Sequence, residues 1–283
     1  VWPAACLLGE GPLWCATLLS LLFVDIKRPS IMQWCSSGTT ATFALQKEIG
    51  AIALRRDGSL VAALKDELAF IQLEPFLLTP IALPEPEPPG NRFNDGKCDP
   101  AGRFWAASMD DACVSPTGAI WRLSADLRMD RMTEGHIVGN GFGWSPDGDT
   151  MYFTDSQKRT IFAYTFDQAT GSLGRKRCFA TVPDDAGYPD GLTVDAEGYV
   201  WSAHWDGWKI TRYRPDGAVD RVIPMPIPRP TSLAFGGREL RQLYVTSASI
   251  GLSSQQLNEA PLSGGLFELD PGVAGRPEPF FAG

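Results

Sequence analysis

Histidine is scarce in this chain. Only two occur among 283 residues, His136 and His204, and they lie far apart. No G-x-S-x-G elbow, H-E-x-x-H pair, phosphate-cradling glycine loop or dinucleotide fingerprint is present. A Ser–His triad, a zincin-type centre, P-loop chemistry and nicotinamide redox chemistry therefore have no support. Positive charge is also short, with 25 Lys and Arg against 33 Asp and Glu and a net charge of -8. Neutralising phosphates needs a basic surface, so nucleic acid and anionic membranes are poor partners. The six cysteines, at 6, 15, 35, 98, 113 and 178, form no C-x-x-C pair and follow no regular spacing. In a chain of this length they are expected to be reduced thiols of a cytoplasmic protein rather than a disulfide framework. Long apolar runs are missing too. Residues 13–26 are too short to span a bilayer, follow no Lys or Arg, and are expected to form two strands rather than a leader.

What the sequence does contain is repetition. Hydrophobic content of 44% and charged content of 20% suit a protein that buries a core. Four segments (51–64, 97–109, 142–156 and 192–204) share one pattern: an apolar strand, a turn closed by glycine, and a second strand rich in aromatic and β-branched residues. The closing glycines, Gly58, Gly102, Gly148 and Gly198, stand 44, 46 and 50 residues apart. Weaker copies at 13–26 and 233–248 bring the number to six. A third strand with period-2 alternation follows each hairpin, at 30–34, 68–73, 119–123, 160–166, 209–213 and 265–269. A more variable outer strand comes next, as at 177–182. This arithmetic predicts an all-β, six-bladed β-propeller of four-stranded antiparallel blades around a central channel, occupying residues 1–283 as one domain. The Pro- and Glu-rich stretch 80–89 is expected to connect two blades, because the repeat stays in step across it.

Aligning the copies exposes a column just before the innermost strand: Glu10-Gly11, Ile49-Gly50, Asp95-Gly96, Asn140-Gly141, Asp190-Gly191 and Thr231-Ser232. Rotation about the channel brings equivalent positions into a ring at one mouth. Carboxylates gathered so closely repel one another unless a cation or protons neutralise them. An oxygen-only set suits one divalent ion, Ca, Mg or Mn, with Zn or Fe as alternatives. The ordinary alternative is that Asn-Gly and Asp-Gly are simply turn formers. The second strands return to the same mouth and end in Met109-Asp110-Asp111, Asp155-Ser156 and His204-Trp205. His204 is then either a hydrogen-bonded rim residue or a ligand, and Trp205 either stacks on a sugar ring or packs on a neighbour. His136 leads toward Asn140 and is expected to be structural. Arg92, three residues before the ring, either binds a ligand's oxygens or forms an ion pair.

At Asn91-Arg92-Phe93-Asn94-Asp95-Gly96-Lys97 the chain resembles the gluconolactonase/regucalcin (senescence marker protein) family. The likeness runs through Leu8 to Trp14, Asn140-Gly141 with Trp144-Ser145, Tyr188 to Gly191, Phe235 to Gly237 and Ser263 to Phe267, in order and across essentially the whole chain. The resemblance implies a metal-dependent hydrolase that opens a sugar (aldono)lactone to the sugar acid, as in bacterial-type oxidative sugar catabolism. The family also contains calcium-binding proteins, so a non-catalytic metal-binding propeller is the alternative. The family's metal ligands fall on Glu10, Asn140 and Asp190, with Asp190 also the general base. Its substrate contacts fall on Arg92 and Asn94, whereas the internal alignment put Asp95 in the ring. An acidic substrate contact is met imperfectly by Asp110 or Asp111, and His204 and Trp205 complete the expected substrate-binding set. The expected partner is a small sugar lactone bound by a monomer or weak oligomer.

Overall fold

The computed structural model describes residues 1–84 and 87–283. Its strands form six antiparallel sheets, five of four strands and one of three, each a meander in which sequential strands pair. Blade 1 begins with Gly9–Cys15, blade 2 with Ile49–Leu54, blade 3 with Asn91–Cys98, blade 4 with Gly139–Trp144, blade 5 with Tyr188–Val194 and blade 6 with Pro230–Gly236. Each of these innermost strands touches that of the next blade, and Gly9–Cys15 touches Pro230–Gly236, so the ring of six closes. The expected propeller is present. The 80–89 connection includes residues 85 and 86, which lie outside the described residues; Pro80 itself belongs to the outer strand Leu77–Ala82.

Alternation explains the packing. Successive side chains of a strand point to opposite faces, and in a ring of blades both faces are covered. In Ser20–Asp25, Leu22 and Val24 pack toward blade 2 with Ile52 and Leu60, while Leu21 and Phe23 pack toward blade 6 with Tyr244. Six apolar clusters fill the six seams between blades in this way. The innermost strands are therefore buried at nearly every position, and the outer strand Val219–Pro224 is mostly exposed.

The three-stranded sixth blade is completed by the other end of the chain. Trp2 pairs with Leu266, next to the third strand Phe267–Leu269, and the Val1 amine donates to the Leu266 carbonyl at 2.7 Å. The helix Ser254–Glu259, with a capping box between Ser253 and Gln256, lies between this blade's second and third strands.

The hairpin turns gather at the mouth opposite the predicted ring. Asp99 holds one turn by accepting the amides of Ala101 and Arg103 at 2.9 and 3.0 Å and the Trp105 indole N–H at 2.9 Å. Asp195 repeats the device with the amides of Glu197 and Tyr199 and the Trp201 indole. The C-terminal segment then crosses this mouth. Gly275 donates to Leu240, Arg276 to Trp144, Phe281 to Leu54 and Ala282 to Gly102, while Glu278 pairs with Lys97 at 2.9 Å. Phe281 is 1% exposed between blades 2 and 3. Phe281→Ala is expected to lose roughly 3–5 kcal/mol, lowering the melting temperature by roughly 6–15 °C in a thermal scan. Any activity seated at the other mouth should survive that change at low temperature.

Candidate metal and substrate site

Every innermost strand slips register near its start. The slips fall between Glu10 and Leu13, Ile49 and Ala51, Phe93 and Asp95, Asn140 and Phe142, Pro189 and Leu192, and Pro230 and Leu233. A bulge bends the strand and re-aims the residue beside it. The Glu-Gly and Asn-Gly pairs are thus not hairpin turns but mid-strand kinks. Gly11 and Gly141 take left-handed φ values of 52° and 40°. A Cβ on Gly141 would stand 2.8 Å from the Asp190 carbonyl oxygen, so glycine is required there twice over.

These kinks bring Glu10, Asn140 and Asp190, from blades 1, 4 and 5, onto one cavity of about 340 Å³. All three are buried. The Asn140 amide donates to Asp190 and, at 3.2 Å, to the Ser156 hydroxyl. Arg92, Asn94, Asp111 and Trp205 line the same cavity. Arg92 is 5% exposed and braced on three sides: its Nε donates to Asp111 at 2.6 Å, its Nη1 to the Phe93 carbonyl at 3.1 Å and to the Asn94 Oδ1 at 2.7 Å. Asn94 passes its own N–H to the Gly139 carbonyl at 3.0 Å. Among the described residues the Arg92 Nη2 has no protein acceptor. Asp111 also accepts from Lys27 at 2.9 Å.

Electrostatics mark the floor. Burial raises the proton affinity of Glu10 well above the ordinary carboxylate range, and the charges of Asp190 and Asp95 raise it further. Burial and then Asp95 do the same to Asp190, against the opposing Asn140 hydrogen bond. Asp95 is pushed up to about 6, chiefly by burial. The Arg92 guanidinium, whose charge opposes the shifts of Glu10 and Asp190, is already paired with Asp111. Among the described residues no three His, Cys, Asp or Glu side chains form a ready-made cluster; the donor set is two carboxylates and an amide. Oxygen donors carrying uncompensated buried negative charge fit a hard divalent cation.

The other expected residues sit elsewhere. Asp95 faces the channel beneath the cavity with Lys97 and Glu278, not the cavity wall. The reason is the blade 3 bulge, which leaves Asn94 unpaired and points it into the mouth. Asp110 turns away to accept the amides of Ala112, Val114 and Ser115 at 3.2, 3.2 and 2.8 Å, which holds its carboxyl below its usual range. His204 is buried behind the wall: its Nδ1 donates to the Ala186 carbonyl at 3.1 Å, and Nε2 lies 3.5 Å from the Tyr213 hydroxyl. Burial pushes it down to about 4, so the imidazole is neutral. His136 is likewise buried, 2.7 Å from the Thr133 hydroxyl and away from the cavity. Lys27 and Gln157 line the cavity without having been anticipated. Each stands two residues beyond the end of a second strand, Asp25 and Asp155, so extending the repeat alignment by two positions finds them.

The chain is thus a propeller of six blades in a closed ring, with an acid-floored cavity at one mouth and a C-terminal strap across the other. Residues 8–249 match the SMP-30/Gluconolactonase/LRE-like region, and the chain belongs to that family. It is 36% identical to the L-arabinolactonase of Azospirillum brasilense, over 98% of this chain and 92% of that protein. It is 33% identical to Regucalcin of Gallus gallus, over 98% of this chain and 95% of that protein. The crystal structure of regucalcin from Agrobacterium tumefaciens, described as a calcium-binding protein, superposes with a TM-score of 0.94 at 29% identity, covering 99% of this chain and 95% of that one.

Proposed function

We infer that the protein hydrolyses a sugar lactone to the corresponding sugar acid with the help of one divalent cation. The observation that carries this reading is the convergence of Glu10, Asn140 and Asp190 on a cavity whose facing wall presents Arg92 and Asn94. Similarity to an L-arabinolactonase supports the substrate class. Glu10, Asn140 and Asp190 would hold the cation. When bound, it supplies Lewis-acid polarisation of an ester carbonyl.

The chain's own groups do the rest. Arg92, through its free Nη2, and Asn94 hold the lactone's hydroxyls, fixing the carbonyl carbon over the floor. Asp190 takes one proton from the attacking water as its oxygen bonds to that carbon. The ring C–O bond then breaks, and the departing ring oxygen takes the proton back from Asp190. The product is the open hydroxy acid, whose carboxyl ionises in neutral solution. Its lactone is supplied by a reaction that oxidises an aldose at the anomeric carbon, as in oxidative sugar catabolism. Residues 1–283 act as one propeller domain, in a monomer or weak oligomer. Six unpaired cysteines are consistent with a reducing, cytoplasmic setting. Among the described residues no helix is long and apolar enough to cross a membrane.

The test is acid release from a panel of aldonolactones, before and after chelation. Hydrolysis that stops on chelation and returns with one of Ca, Mg, Mn, Zn or Fe is expected. Full rate after exhaustive chelation removes the cation from the reading. A second reading, a non-catalytic calcium-binding propeller, is favoured by the likeness to the calcium-binding protein from Agrobacterium tumefaciens. Cation-saturated protein that turns over no lactone would establish it.

A further inference from the structure

The cavity walls are chemically unequal. Blade 3 supplies the hydrogen-bonding side, Arg92, Asn94 and Asp111. In a ring of six, blade 6 lies diametrically opposite blade 3. There the wall is made by Ile250, which follows blade 6's second strand, flanked by Leu8 at the start of blade 1 and Trp205 at the end of blade 5's second strand. Leu8, Ile250 and Trp205 belong to one apolar cluster. Backbone pairing holds the wall in place: Leu8 bridges to Ala248, and the Ile250 amide donates to the Leu7 carbonyl at 2.9 Å. The Arg229 guanidinium lies 4.6 Å from the Trp205 ring centre and is committed to Asp206 at 2.6 Å, so it offers the cavity no free charge. Leu8 and Ile250 carry no polar side-chain atom. A cavity of about 340 Å³ is large enough for one lactone ring with its substituents.

Resting on the lactonase reading above, we propose that the preferred substrates are lactones of 6-deoxy sugars. Their ring hydroxyls meet blade 3, and their terminal methyl meets the Leu8–Ile250–Trp205 wall. A terminal hydroxymethyl group pressed on that wall gives up its water partners and finds at most the Trp205 indole N–H in exchange. A methyl group there adds buried apolar area. The two effects act in the same direction.

The experiment uses matched pairs that differ only in the terminal oxygen: rhamnonolactone against mannonolactone, and fuconolactone against galactonolactone, each pair of one hand. The deoxy member of at least one pair is expected to have a kcat/KM about 10–100-fold higher, carried mainly by KM. Ile250→Thr, which keeps the branched shape and adds a hydroxyl, should narrow that ratio about tenfold. Equal or better use of the hydroxylated members by the parent protein overturns the inference and leaves the lactonase reading standing. Failure of the chain to hydrolyse any lactone, with its cation supplied, overturns both.

Discussion

Asp190→Asn is expected to cost at least about 10³-fold in kcat/KM on the best lactone while the protein melts within a few degrees of its parent. The substitution keeps the shape of the side chain and an oxygen to accept from Asn140, so the hydrogen bond between blades 4 and 5 has a replacement. What it removes is a negative charge and the carboxylate assigned to take the water's proton. Since Asp190 is fully buried among other acids, a neutral amide there relieves repulsion instead of exposing an unpaired group. Stability and activity should therefore separate. A variant that is folded by circular dichroism and retains activity within threefold of the parent would sink the mechanism, because it would show that the Asp190 carboxylate does not take the water's proton.

The fold was legible because blades are copies. Closing glycines at near-constant spacing and third strands with strict alternation are local properties, and both survive into the structure at the expected positions. The floor was legible for the same reason, once rotation was assumed to superpose the column. Glu10, Asn140 and Asp190 meet, although the chain between the first two contains most of three blades. In blade 3 the residue that faces the cavity is Asn94, eight residues before its closing glycine, as Asn140 and Asp190 are before theirs; the Asp95-Gly96 pair, one residue later, matched the column by composition and not by spacing. Counting back from the closing glycine, instead of matching dipeptides, places Asn94 correctly.

The rim failed differently. Residues at the ends of the second strands do not all face the mouth. Asp25 and Asp155 turn their carboxylates onto the amides of Leu7 and Leu8, and of Ile137 and Val138, pinning the segments that lead into the innermost strands. His204 serves the same purpose in blade 5 with its ring nitrogen on Ala186. A polar side chain at this level is held by backbone, and its neighbour, Ser156 or Trp205, looks into the cavity. The closure of blade 6 by Trp2 had no signal at all, because a single bridged residue carries no period.

Glu10→Gln is expected to act in opposite senses on stability and on cation binding. In the cation-free protein, Glu10 and Asp190 hold protons more tightly than in the unfolded chain, first because they are buried and then because neighbouring acids repel their charged forms. Across the window that opens at the ordinary values of 4.5 and 3.8, the folded state thus binds more protons than the unfolded state. Stability conferred by the protonated groups is then lost as pH rises through their folded values. Asp95, shifted from 3.8 to about 6, adds to the same slope. Cation-free protein should melt lower at pH 8 than at pH 5.5, and a divalent ion should restore more at pH 8, where binding displaces fewer protons. Glu10→Gln takes one charge out of this ring. It should raise the melting temperature of the cation-free protein at pH 8 by several degrees, shrink the further rise on adding the ion, and lower kcat/KM about 10²-fold or more. Thermal scans with chelator and with ion, at both pH values, read all of this. An undiminished ion-induced rise in the variant means that Glu10 does not hold the cation, and the floor then has to be explained by protons alone.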